Sequence, residues 1–115
     1  MKMLVVALGM LAGCAEPAMT IDEYPCPPTG TQLTYDSFGR GFFIAQCNSC
    51  HSAEAGGRDG APASYRFDTL DDVRLHKDRI FVRAAATNTS MPIGPNDPSS
   101  DDRDRLAEWL ACGAP

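Results

Sequence analysis

The sequence is short of basic residues. Ten Lys and Arg stand against fifteen Asp and Glu, a formal net charge of −5 over 115 residues. That balance argues against nucleic acid as a partner, because binding it requires a basic face. Histidine is scarcer still, with two in the chain. There is no second CxxC and no HxxxH, so a closed zinc site of four protein ligands lacks donors. The apolar run from Met3 to Ala12 is too short to span a bilayer as a permanent helix. No low-complexity tract, internal repeat or convincing alternating strand is present. Apolar residues make up 43% of the chain, enough for one small core. A domain of this size gains much from a bound prosthetic group or a disulfide.

What the chain has in quantity is cysteine, five in all and an odd number. The first lies at the end of MKMLVVALGMLAGC, where Lys2 precedes the apolar run as in a secretory signal. A buried core segment is the alternative. LAGC, Leu11–Cys14, resembles the lipobox of bacterial lipoproteins: an aliphatic residue, two small residues and a cysteine. That resemblance implies removal of residues 1–13 and a lipid on the thiol of Cys14, a strongly nucleophilic side chain suited to acylation. Ala15, rather than Asp, after the cysteine resembles outer-membrane sorting signals. The implied location is the bacterial periplasm, lipid-anchored, with the outer membrane favoured over the inner. Disulfides persist there.

Residues 14–31 read as a tether. YPCPPTG surrounds Cys26 with three prolines and cannot be helical. The domain proper spans 32–115. A first helix is expected over Thr34–Gln46, with Thr34 or Ser37 near its cap, although Gly39 and Gly41 weaken it. Ser52–Ser64 is a loop. Leu70 to about Ala86 reads as one helix with Val73, Ile80 and Ala84 on a common side. Thr87–Ser100 is a second loop. Ser99 or Ser100 can cap a last helix through Ala111, with Asp101, Asp102 and Asp104 at its positive end and Leu106, Trp109 and Leu110 as its apolar stripe. Gly113 ends it. The expected fold class is all-α.

Cys47–His51, CNSCH, carries the chemistry. Two thiols separated by two residues can add across the two vinyl groups of a porphyrin, and the adjacent imidazole is then carried beneath the iron. A redox dithiol is the alternative, but such a motif opens a helix after a strand, whereas this one follows a helix. A plain Cys47–Cys50 disulfide leaves His51 unexplained. Met91 in TNTSMPIG offers a thioether, and Pro92 pushes it out of the helical region onto a turn-rich loop. His76 stands among Arg74, Lys77, Asp78 and Arg79 and reads as a solvated helix residue, with bis-histidine ligation as the alternative.

At these residues the chain resembles the class I c-type cytochromes, specifically small lipid-anchored bacterial members, over about residues 35–115. Gly39 and Phe43 precede Cys47 by eight and four residues, as in that family's first helix. LAEWLACGAP is similar to its last helix. The resemblance implies a cytochrome c-like helical fold around one covalently bound haem c. Cys47 and Cys50 would hold it, with His51 and Met91 as axial ligands. It implies that Pro62 supplies the carbonyl for the His51 imidazole N–H, that the Thr89 hydroxyl supports a propionate, and that Trp109 packs across Gly39. With lipid on Cys14 and haem on Cys47 and Cys50, Cys26 and Cys112 remain. A disulfide between them is the economical pairing; free thiols or an intermolecular bond are the alternatives.

The expected activity is one-electron transfer and not catalysis on a bound molecule. The partners are redox-protein donors and acceptors, and the membrane through the N-terminal lipid. The protein is a monomer or a subunit of a redox complex. Two alternatives stay open: a gas sensor or weak peroxidase with a labile Met91, and a haem-free thiol-disulfide oxidoreductase.

Overall fold

The computed structural model describes Gly13 and residues 16–115. The expected signal segment other than Gly13, and Cys14, the expected site of lipidation, lie outside the described residues. Among the described residues there are four α-helices and no strand, so the all-α expectation holds.

The first helix begins with a reciprocal cap. The Thr34 hydroxyl accepts from the Ser37 amide, and the Ser37 hydroxyl accepts from the Thr34 amide, each at 3.0 Å. Two backbone donors at the start of the helix are thereby satisfied. Its first turn, Tyr35–Gly39, is of the wide π type: the Phe38 and Gly39 amides both bond the Thr34 carbonyl, at 2.9 and 3.2 Å. Regular helix α1 follows over Arg40–Gln46.

The helix expected over Leu70–Ala86 is two helices. Thr69 caps α2, Leu70–Leu75, through a second reciprocal pair with Asp72. The chain breaks at His76 (φ −108°, ψ 12°) and resumes as α3, Lys77–Ala84. His76 is therefore not a solvated helix residue. It is half-buried, its Nε2 bonds the Ser64 carbonyl at 3.0 Å and its ring lies tilted against that of Tyr65.

Helix α4, Ser100–Ala111, is capped by Ser99, whose side chain accepts from the Asp102 amide at 3.1 Å. Asp101 and Asp102 in its first turn complement the helix dipole. Gly113 (φ 91°) ends it: its amide bonds the Leu110 carbonyl and that of Ala114 bonds the Trp109 carbonyl, a Schellman closure. The chain end then serves as a junction. The Pro115 carbonyl accepts from the Trp109 indole at 3.0 Å and from the Tyr35 amide at 2.8 Å, while Arg74 donates to the Ala114 carbonyl.

The core lies where α1, α3 and α4 meet. Phe43, Phe81, Leu106, Trp109 and Leu110 are fully buried in it, each stabilising by roughly 1.5–3 kcal/mol. Helices α1 and α4 cross at Gly39. A Cβ placed there would lie 2.7 and 2.8 Å from two ring carbons of Trp109. The wide π turn and the missing side chain together let the indole lie against the helix backbone.

The stretch expected as a tether joins the domain from Met19 onward. Ile21–Glu23 form one 3₁₀ turn. Tyr24 meets Phe81 edge-on with ring centres 6.0 Å apart, and the Thr31 hydroxyl donates to Glu108 at 2.6 Å. Cys26 is joined to Cys112 in a disulfide that closes 86 residues of sequence. In the chain-entropy model such a loop contributes about 4–5 kcal/mol. Apolar Met19, Ile21 and Tyr24 explain why this strap lies down: each packs against the core.

Gly39→Ala is expected to destabilise the protein by about 1–3 kcal/mol, as overpacking of a close crossing does. Denaturant unfolding checks this. A wild-type midpoint in the variant would contradict the crossing.

Candidate functional site

Helix α1 hands the chain directly to the cysteine motif. The Cys47 and Asn48 amides still bond the Phe43 carbonyl, at 3.0 and 2.9 Å. One further turn follows, in which the Cys50 and His51 amides both bond the Cys47 carbonyl, at 3.2 and 3.0 Å. Cys47, Cys50 and His51 all line one cavity of about 500 Å³. Met91, from the loop after α3, lines the same cavity with Pro92.

The His51 ring is held on several sides. Its Nδ1 lies 2.7 Å from the Tyr65 carbonyl oxygen. A carbonyl only accepts, so Nδ1 carries the hydrogen and neutral His51 keeps its lone pair on Nε2. Such a bond also makes the imidazole a better donor to a metal. Phe67 stacks on the ring, with centres 4.6 Å apart and planes 26° apart, and its amide bonds the His51 carbonyl at 2.8 Å. Behind His51, Asp68 accepts from the Ser52 hydroxyl at 2.6 Å and from the Ala53 amide at 2.8 Å. These two bonds, the hydroxyl's first, hold the Asp68 carboxyl below the usual carboxylate range.

Two expected supports stand elsewhere. Pro62 lines the cavity, but its carbonyl accepts from the Tyr65 amide at 3.0 Å. The turn so formed brings the Tyr65 carbonyl, and not that of Pro62, to the imidazole. Thr89 is exposed and outside the cavity wall. Its neighbour Asn88 is turned into the protein, while Thr89 is left to solvent.

The Cys47 and Cys50 thiols are not joined to each other. Burial pushes that of Cys47 up to about 12. A thiol-exchange enzyme needs the reverse, a thiol acidified toward neutral pH.

The Met91 loop is fastened by residues that the sequence did not single out. Arg103, on α4, is 5% exposed. Its Nη1 donates to the carbonyls of Ala84, Asn88 and Met91, at 2.8, 3.1 and 2.8 Å. The Met91 amide bonds the Arg83 carbonyl at 2.8 Å. The Asn88 carboxamide donates to Met19 and Phe81 carbonyls, at 2.8 and 2.9 Å, and accepts from the Met19 amide at 3.0 Å. One signal was available for Arg103. It precedes Leu106, Ala107 and Leu110 by three, four and seven residues, on the apolar stripe of α4.

Arg103→Leu would leave three buried carbonyls without their donor. We expect a loss of about 2–4 kcal/mol, at the cost of about 1–3 kcal/mol per unsatisfied group with partial relaxation. Hydrogen exchange should quicken at the Asn88 and Met91 amides before it does in α1. Unchanged exchange at both amides would contradict the fastening.

The family model described as cytochrome C oxidase, cbb3-type, subunit III matches residues 37–110, well over half of the chain. The match takes in α1, the CNSCH motif, Met91 and nearly all of α4, and leaves out the strap and Cys112. No curated protein and no solved structure matches. A cytochrome c domain implies covalently bound haem c and electron transfer. With the cavity, the cysteine pair and the imidazole all inside the matched region, the chain belongs to the cbb3-type cytochrome c oxidase subunit III family of cytochrome c domains.

Proposed function

We propose that the protein is a one-electron carrier holding a single haem c. Cys47 and Cys50 would hold the group through their sulfurs, and Nε2 of His51 and the Met91 sulfur would be the side-chain ligands to its iron. The observation that carries this reading is the convergence of His51 and Met91, forty residues apart in sequence, on one cavity with Nδ1 of His51 already committed to a carbonyl.

The residues present fit the group. The cavity falls within the range of cofactor sites. Ile80, Ala84 and Phe67 give it apolar surface for a macrocycle. Nη1 of Arg58, a cation in the same wall, is buried without a partner and suits a propionate carboxylate. Haem supplies reversible one-electron chemistry when bound. The chain's part is to hold both axial donors and to limit water. Tyr65 and Phe67 fix the imidazole, and Arg103 and Asn88 fix the loop of the thioether. Were His51 and Met91 both to ligate the iron, no open position would remain there for a substrate. This favours a carrier over a sensor or peroxidase. His/Met ligation raises the potential relative to two nitrogen donors.

The protein acts in the periplasm, anchored through lipid on Cys14. Met19, where the strap meets the domain, is the fifth residue after Cys14. At about 3.5 Å per residue the free reach is no more than about 18 Å. The carrier would stay close to the membrane and exchange electrons with redox proteins there, free or within a redox complex. Among the described residues, no helix is long and apolar enough to cross a membrane.

Purified protein from a host that matures c-type haem is expected to weigh one haem more than the chain, and Cys47→Ser/Cys50→Ser to lose that mass. The wild-type ferrous protein should not bind carbon monoxide, and Met91→Ala should bind it readily. Ready binding by the wild type would move the reading to a sensor or peroxidase. A protein without covalent haem would end it.

A further inference from the structure

We propose that His76 is a positioning residue for His51, acting from outside the cavity through the segment Ser64–Phe67. This rests on His51 being an axial ligand, as proposed above.

The first observation is the break between α2 and α3. The stretch has neither Pro nor Gly at this point, and its apolar spacing continues through it. Yet His76 leaves helical geometry, and its amide is shared between the Asp72 and Val73 carbonyls at 3.3 and 3.1 Å. The His76 amide keeps a bond to the Asp72 carbonyl, so the break is a change of backbone geometry and not the loss of that bond. What it gains is the placement of one side chain. Nε2 of His76 donates to the Ser64 carbonyl at 3.0 Å. Its ring lies on Tyr65, with centres 4.7 Å and planes 32° apart, and meets Phe67 edge-on at 6.0 Å.

The second observation is what those residues do. Tyr65 supplies the carbonyl that fixes Nδ1 of His51, and Phe67 supplies the ring and the amide that hold its other sides. His76 thus grips the segment on which the orientation of His51 depends. It is absent from the cavity wall. Ordinary packing would need neither the break nor a donor aimed at a carbonyl. A fixed second partner for a metal-bound imidazole commonly governs ligand strength by one to two orders of magnitude. Here the partner is a backbone carbonyl, which no side-chain substitution at position 65 removes. Control over it has to come from whatever fastens that backbone.

The test reads the His51 Nδ1 hydrogen by NMR in the ferrous holoprotein, with haem attachment and carbon-monoxide resistance verified first. Exchange of that hydrogen with solvent is compared with exchange of the buried α4 amides, which report global opening. His76→Ala is expected to speed exchange at His51 by about tenfold or more without a matching change in α4. His76→Gln, which keeps an N–H donor for Ser64, should stay near the wild type. His76→Phe, which keeps only the stacking, should resemble His76→Ala. Wild-type exchange in all three variants would overturn the proposal. So would equal acceleration at His51 and in α4, because that is general destabilisation. Should His76→Ala fail to fold, the contrast between Gln and Phe decides alone, and equal rates in the two would overturn it. A protein that fails the haem and carbon-monoxide checks overturns the functional reading itself, and is recognised before any exchange is measured.

Discussion

The site depends on the contact of Trp109 with the bare backbone at Gly39. It fixes where α1 lies, and α1 runs straight into Cys47, so the contact also fixes the cysteine pair and the imidazole. It fixes α4 as well, and α4 carries Arg103. Through three carbonyls Arg103 sets the loop that ends at Met91. Both proposed axial donors are thus referenced to one crossing of two helices. A wider crossing would separate them even with every residue of the cavity wall intact.

The distal side illustrates how a small domain orders a loop that has no secondary structure of its own. Buried arginine is costly unless its donors are met. Here the donors meet backbone carbonyls, not a carboxylate, so the cation organises main chain. Asn88 extends the same arrangement to the N-terminal strap by pairing with both the amide and carbonyl of Met19. The disulfide from Cys26 to Cys112 returns the strap to the end of α4. Strap, loop and last helix therefore form one closed circuit around the cavity side that carries Met91. In a domain too small for a large core, such cross-links contribute what burial alone does not.

Much of this was readable from the residues. The caps at Thr34 and Ser99 were readable because a hydroxyl that can accept from an amide three residues on is a local signal; the reciprocal pair of Thr69 and Asp72 carries the same signal and was not singled out. Gly39 was readable as a close approach because glycine is otherwise costly there. CNSCH was readable because its chemistry needs all three residues at fixed spacing. The parts that were not readable are those built from backbone carbonyls. That Tyr65 and not Pro62 meets His51 depends on how one turn closes, and any residue type supplies a carbonyl. The break at His76 leaves no mark in the hydrophobic pattern, which continues across it. Residues 14–31 read as a tether because the prolines exclude helix, yet prolines do not prevent the part from Met19 onward from lying on a core. Arg103 was legible only as a charge on an apolar stripe.

The central claim is that one cavity holds haem c between His51 and Met91 and passes single electrons. Its most direct test is the optical spectrum of the purified holoprotein in the ferric and ferrous states. The account predicts low-spin iron in both states, with a weak sulfur-to-iron charge-transfer band in the ferric spectrum that requires Met91. A high-spin spectrum in either state, or a low-spin ferric spectrum without that band, would contradict it.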